Sequence, residues 1–327
     1  MRVLITGATG FIGSHLAEQL NKKGYQLKCL IRKTSSTRWL EHLPVEYIYG
    51  DFFDEDALRQ AVKNVDIMYH VAGVVASKTR EGFYKGNHLA TRNLLNAVQQ
   101  YNPGLSRFIH VSSLSAVGPS LDGHPVNETT SYHPITTYGK SKMEAEKEVL
   151  KCDGLFPWTI ARPPAVYGPR DVATFDFFRT AAKGIIPLVG FDRKYVSLVH
   201  VRDLVNGIIL AGERPEGANQ IYFIGSRRYY DWDEIGETTM RVLGRSAVKV
   251  RVPEFLVYAV SGAVGFFSLF NKKPSVLNWE KGKDMVQKAW TCDISKAKTE
   301  LGYMEMISLE TGIKETIDWY RREGWMK

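Results

Sequence analysis

"RVLITGATGFIGSHLAEQL" (residues 2–20) is the stretch that decides the fold. The run 2–6 reads as a short apolar strand, and 11–22 reads as an amphipathic helix stopped by Gly24. Between and into them fall Gly7, Gly10 and Gly13. A glycine inside regular structure costs about 0.5–1 kcal/mol relative to alanine, so something must approach this backbone closely. Gly7 permits the sharp turn, Gly10 removes a side chain where a pyrophosphate comes near, and Gly13 lets the helix pack on the strand. The helix N-terminus adds free N–H groups and the positive end of its dipole. Strand, spacing and helix agree, so dinucleotide binding is expected here, with Thr9, Phe11 and Ile12 sharing the loop with the glycines.

Strands and helices alternate onward. Strands are expected at 26–31, 45–50, 66–73, 107–113 and 158–163. Helices are expected at 54–65, 83–101 and 138–150. This rhythm implies an α/β fold, a doubly wound parallel sheet covered on both faces. After "RPPAVYGPRD" (162–171) aromatics, Pro and Gly become frequent. The expected division is a Rossmann-type dinucleotide-binding domain of 1–171 plus 195–225, and a smaller, mostly helical substrate lobe of 172–194 plus 226–327. In that division 195–200 and 219–225 return to the first lobe.

The second strand ends in "LIRKTSSTR" (30–38), with Arg32, Lys33, Ser35 and Arg38 and no acid. A carboxylate there would accept from an adenosine ribose 2′-OH. A guanidinium instead grips a 2′-phosphate. NADP(H) is therefore preferred, with NAD(H) as the alternative and a solvated basic loop as the plain reading.

"TTYGKSKMEAE" (136–146) puts Tyr138 and Lys142 four residues apart, on one helix face. An ammonium beside a phenol favours the phenolate. Tyr138 is the candidate to exchange a proton with a carbinol or carbonyl oxygen. "HVSSLSAVG" (110–118) ends a strand with Ser112, Ser113 and Ser115. Ser113 is the candidate partner of the substrate oxygen, and the other two compete with it.

The 327-residue chain is 44% hydrophobic and carries a net charge of +8. That balance suits anionic ligands or an anionic membrane surface. No Lys/Arg run or aromatic–basic repeat points to nucleic acid. The three cysteines, Cys29, Cys152 and Cys292, show no metal or disulfide spacing, so a reduced, cytoplasmic setting is expected. No carboxylate cluster has metal spacing. His70, His110 and His200 read as satisfied packing histidines, and Trp279, Trp290 and Trp319 as core or interlobe packing. The stretch 255–270, "FLVYAVSGAVGFFSLF", is uncharged and apolar. It reads as a packed substrate-lobe helix, as a membrane-surface helix beside Lys272 and Lys273, or as a span.

Taken together, "TGATGFIG" (6–13), "GDFFD" (50–54), "HVAG" (70–73), "GNHLATRNLL" (86–95), "VSSLSAVG" (111–118), "YGKSK" (138–142), "RPPAVYGP" (162–169) and "LVHVRDL" (198–204) resemble the extended short-chain dehydrogenase/reductase family over nearly the full chain. The resemblance implies that Ser113, Tyr138 and Lys142 are catalytic. It implies Asp51 and Phe52 at the adenine, and Ala72 and Gly73 beside the ribose-phosphate. Asn87 would hold a structural or proton-relay water, and Arg162 and Pro163 would lead past the nicotinamide. It also implies a homodimer through the helices 83–101 and 138–150. Sugar 4,6-dehydratases carry Thr-Asp-Glu where this chain has Ser113-Leu114-Ser115. Nucleotide-sugar epimerases carry an arginine near Val196. The steroid dehydrogenase and ketone reductase branches resemble the chain more, so a secondary alcohol–ketone interconversion on a hydrophobic small molecule is expected. A nucleotide-sugar epimerase with bound NAD is the alternative, and a non-catalytic dinucleotide-binding protein is the third reading.

Overall fold

The computed structural model describes residues 1–268 and 279–326, with backbone alone at 266–268. The first half builds β1 (Arg2–Thr6), α1 (Phe11–Lys22), β2 (Gln26–Ile31), β3 (Val45–Tyr49), α2 (Glu55–Val62) and β4 (Ile67–His70). A helical run follows as α3 (Arg80–Phe83), one π-helical segment (Tyr84–Leu89) and α4 (Ala90–Tyr101). Then come β5 (Arg107–Val111), α5 (Leu114–Val117), α6 (Thr137–Leu150) and β6 (Trp158–Arg162). The second half contains β7 (Ala165–Tyr167), α7 (Phe175–Ala182), β8 (Ile185–Val189), β9 (Tyr195–His200), α8 (Val201–Glu213) and β10 (Gln220–Phe223). It continues with β11 (Tyr229–Asp231), α9 (Trp232–Leu243), β12 (Val248–Val252), α10 (Glu254–Ser268), α11 (Trp279–Met285), β13 (Ala289–Trp290), α12 (Ser295–Leu301) and α13 (Leu309–Arg322).

Seven parallel strands form the main sheet in the order β10-β6-β5-β4-β1-β2-β3. Strand order reverses beside β1, which opens the crevice outside the carboxyl ends of β1 and β4 where such sheets bind ligands. Alternation along β1 feeds both faces of the sheet. Val3 and Ile5 join one core with Leu16 and Leu20 of α1 and Ile208 of α8. Leu4 joins the opposite core with Leu58 of α2, Leu94 of α4 and Val149 of α6. A third core around Leu188, Ile235, Ile313 and Tyr320 holds the second lobe.

β10 returns to the main sheet and α8 packs on its core, whereas β9 pairs in a four-stranded sheet with β7, β11 and β13 and divides its side chains, Val199 in the first-lobe core and Val196 and Leu198 in the second. The sequence of β9, "YVSLVH", is apolar enough to suit either sheet; its pairing with strands far along the chain is what places it. The tryptophans also divide. Trp319 is core and Trp290 is half-buried, but Trp279 is 51% exposed. No described helix is long and apolar enough to cross a membrane. The last residues of 255–270, and the lysines after them, lie outside the described residues.

Candidate active site

The site grows from the β1–α1 junction. Gly7 has φ +75°, and a Cβ there would lie 2.6 Å from the Ala72 backbone nitrogen. The loops after β1 and β4 therefore touch. A Cβ on Gly13 would lie 2.1 Å from the Gly7 carbonyl oxygen, so only glycine lets α1 start this close to β1. Gly10 is different. It is exposed, caps α1 with no side chain, and a Cβ there would meet little besides its own loop. The first-turn N–H groups of α1, at Phe11 and Ile12, are thereby left open toward the crevice. That is the cradle an anionic diphosphate requires, and the residues present fit a dinucleotide. Thr9 is half-buried in the same loop.

Arg32 follows β2 directly and is exposed, as is Lys33. Arg38 lies over the Trp39 ring at 4.0 Å. Asp51 turns its carboxylate back to accept from the Phe53 N–H at 2.7 Å. Phe52 packs edge-on to His70 at 5.5 Å. Ala72 donates its N–H to Thr6 Oγ1 at 3.4 Å.

Ser113 ends the segment after β5. Its Oγ accepts from the Ser115 N–H at 3.1 Å, and the side chain lies close enough to the Tyr138 phenol to draw its pKa down. Ser112 is already engaged, donating to buried Glu146, which leaves Ser113 as the serine facing Tyr138. Burial raises the Tyr138 pKa above its ordinary 10. Ser113 opposes this shift, and the Asp284 carboxylate adds to it. In the free protein the shift favours the phenol; Lys142 is not among the groups that set it. Lys142 is 3% exposed and donates to the Val111 carbonyl at 2.7 Å. Burial draws its pKa down to about 8, against the pull of Glu146. A Cβ on Gly73 would come 3.2 Å from Asn87 Oδ1 and 3.7 Å from Lys142 Nζ. Gly73, Lys142 and Asn87 therefore meet at one point.

Asn87 sits in the π-helical segment, whose extra residue per turn marks functional helices. Its Oδ1 accepts from the Val74 N–H at 2.7 Å. Its amide N–H groups go to the Val74 carbonyl at 3.0 Å and to Ser141 Oγ at 2.8 Å. Both donors go to protein groups, so Asn87 clamps the β4 loop to α6. Arg162 is 2% exposed; its Nε and Nη2 bond Glu146, and Nη2 also donates to the Tyr132 hydroxyl at 3.0 Å, while Nη1 has no partner. The guanidinium braces α6 against β6. Pro163 is buried, and its carbonyl accepts from the Leu114 N–H at 2.8 Å, fixing α5.

Beneath the site, His70 is satisfied on both sides, by Thr6 Oγ1 at 2.7 Å and Thr91 Oγ1 at 2.9 Å. His110 is not. It stacks on His70 at 5.3 Å with neither ring nitrogen partnered. His200 accepts from the Arg202 N–H on Nδ1 at 3.4 Å, and its Nε2 lies 3.7 Å from a Glu315 oxygen, beyond hydrogen-bond reach. The expectation of satisfied histidines holds for His70 alone.

Three functional neighbours were missed. Glu146 continues the four-residue spacing of Tyr138 and Lys142 along α6, a signal legible in the sequence. Glu280 of α11 accepts from the Thr137 N–H through both oxygens at 3.0 Å, and from its hydroxyl at 2.7 Å. Asp284 lies one turn further on. Both come from the far end of the chain, so no local pattern connects them to Tyr138.

A family model described as "NAD dependent epimerase/dehydratase family" matches residues 3–225. Ceramide reductase of Caulobacter vibrioides is 31% identical over 325 residues, covering 99% of this chain and 96% of that protein. UDP-glucose 4-epimerase of Vibrio cholerae is 28% identical, covering 97% and 94%. The crystal structure of gox2253 superposes with a TM-score of 0.83 at 31% identity and covers 99% of both chains. The glycine cradle, the switch point beside β1 and the match across both lobes agree: the chain belongs to the NAD-dependent epimerase/dehydratase family of extended short-chain dehydrogenases/reductases and is an NAD(P)-dependent enzyme of that family.

Proposed function

We propose that this enzyme is an NADP(H)-preferring reductase of a ketone on a hydrophobic, lipid- or steroid-like molecule. The observation that carries the reading is the placement of the Tyr138 phenol beside Ser113, with Lys142 Nζ reaching the Gly73 loop one helical turn away. A protonated phenol is a proton donor, which is what a carbonyl oxygen needs as it becomes a hydroxyl. Ser113, Tyr138 and Lys142 are proposed as the catalytic residues. Ser113 orients the carbonyl oxygen, Tyr138 donates the proton from its hydroxyl, and Lys142 keeps a positive charge beneath the site. The dinucleotide, when bound, supplies the hydride. The similarity to a ceramide reductase supports a greasy substrate.

The NADP(H) preference rests on exposed Arg32 and on the lack of a carboxylate from 32 to 38. Asp51, the nearby acid, is turned onto its own loop. The second reading, nucleotide-sugar epimerisation, is favoured by the similarity to UDP-glucose 4-epimerase. Against it, Val196 is buried where a diphosphate-holding arginine is wanted, and Lys194 is bound to Glu254 at 2.6 Å and to the Val286 carbonyl at 2.7 Å.

Titration of NADPH and NADH into wild type and Arg32→Asp tests the cofactor reading. The variant is expected to weaken NADPH about 10- to 150-fold, the worth of a charge-assisted bond, and NADH little. Equal losses, or a wild type that prefers NADH, overturn it.

A further inference from the structure

Helix α10 carries no charged residue after Glu254. Its inner side is closed by Val257 and Ser261, 7% and 1% exposed. Its outer side presents Phe255, Leu256, Ala259, Val260 and Ala263, all exposed. That spacing is a single helical face. A helix in water places polar side chains there; this one places none.

Aromatic side chains flank the face. Trp279 packs on Tyr258 with ring centroids 5.0 Å apart while remaining 51% exposed. Phe191 is 71% exposed, and its carbonyl lies 3.5 Å from an Arg251 nitrogen at the start of the helix. Aromatics at the rim of an apolar face suit the level of lipid headgroups. Around it Glu254 pairs with Lys194, Asp284 with Lys281 and Arg193 with Asp231, and Glu280 holds Thr137. Asp192 and Lys283 are exposed beside them. The chain as a whole carries +8, and its sequence places Lys272 and Lys273 after the helix. That surplus favours an anionic surface.

The face is also joined to the catalytic residues. A Cβ on Gly282 of α11 would lie 3.1 Å from Ser261 of α10, so the two helices meet closely. Two residues before Gly282, Glu280 holds the N-terminus of α6, next to Tyr138. A partner subunit on the outer face would cover this approach, whereas a bilayer would deliver an apolar ketone to it. The 15 described residues of α10, about 22 Å, are fewer than a span takes.

We propose that α10 is a membrane-docking face that seats the enzyme on an anionic lipid surface. The docking itself stands apart from the ketone reading; only its use, delivery of the substrate, rests on that reading. The test is flotation with vesicles of phosphatidylcholine containing phosphatidylglycerol, against vesicles of phosphatidylcholine alone. Wild type is expected to float with the anionic vesicles, less with the neutral ones, and less as salt rises. Phe255→Glu with Val260→Glu changes two exposed side chains, so NADPH binding and melting temperature are expected to stay as they are. The double variant is expected to lose about 100-fold or more in partitioning. Its turnover of a long-chain ketone presented in vesicles is expected to fall, and that of a short, water-soluble ketone to hold. Wild type remaining in solution with both vesicles overturns the proposal, as does a double variant that floats equally well. So does a change from dimer to monomer in sedimentation with flotation unaltered, because a second copy then covers the face. Flotation with no reduction of any ketone removes the proposed reaction and leaves the docking face standing.

Discussion

At Tyr138 the chemistry depends on a single hydroxyl. Tyr138→Phe removes the proton donor without emptying the space the ring fills. Turnover is expected to fall about 10²–10⁴-fold with cofactor affinity nearly unchanged, as measured by steady-state kinetics beside cofactor titration. Asp284 sets the tuning. Its carboxylate raises the Tyr138 pKa, so Asp284→Asn is expected to lower that pKa. Reduction needs the protonated phenol, so the alkaline limb of the pH–rate profile is expected to move to lower pH; an unmoved limb removes Asp284 from the site. Of these residues the sequence exposes Ser113, Tyr138 and Lys142 through short-range spacing. It hides Asp284, brought in from 146 residues away by folding, and the burial that raises the Tyr138 pKa, which no spacing reports.

Among the elements, α6 carries the catalytic pair, and the buried Glu146–Arg162 pair holds it. Both side chains are almost fully enclosed, with Tyr132 and Ser112 also on Glu146. Removing one charge leaves the other buried and uncompensated, so Glu146→Gln is expected to cost about 3–5 kcal/mol in denaturant unfolding. Glu146→Leu combined with Arg162→Met is expected to cost far less, because the unpaired charge is gone. Equal losses would mean that shape, not charge, is what the pair supplies. The strands and helices of the first half were legible because their apolar runs and glycine stops are local. β9 was not, since its partners β7, β11 and β13 are set by long-range pairing. The π-helical segment interrupts what reads as one continuous helix over 83–101. It contains Asn87, whose clamp on Val74 and Ser141 is likewise invisible in sequence.

For the molecule as a whole, several buried histidines tie stability to pH. Burial takes His70 and His200 from the ordinary 6.5 down to about 3, and His15 to about 4; His110 is lowered further by the Lys142 charge. The unfolded chain takes up these protons near pH 6.5 and the folded one does not. Stability is therefore fully present above about pH 6.5 and is lost as pH falls from there toward 3. The unfolding midpoint is expected to drop through that window, and His70→Gln to flatten the drop if the variant keeps its bonds to Thr6 and Thr91. The central claim is a net transfer of hydride to a ketone at Tyr138. The measurement that tests it most directly is mass spectrometry of the product formed from a long-chain ketone and NADPH deuterated at the transferring position. The account predicts one deuterium on the carbinol carbon, matched to the NADPH consumed, and neither in Tyr138→Phe. A UDP-sugar epimerised with no net consumption of NADPH, and every ketone left unreduced, would contradict it.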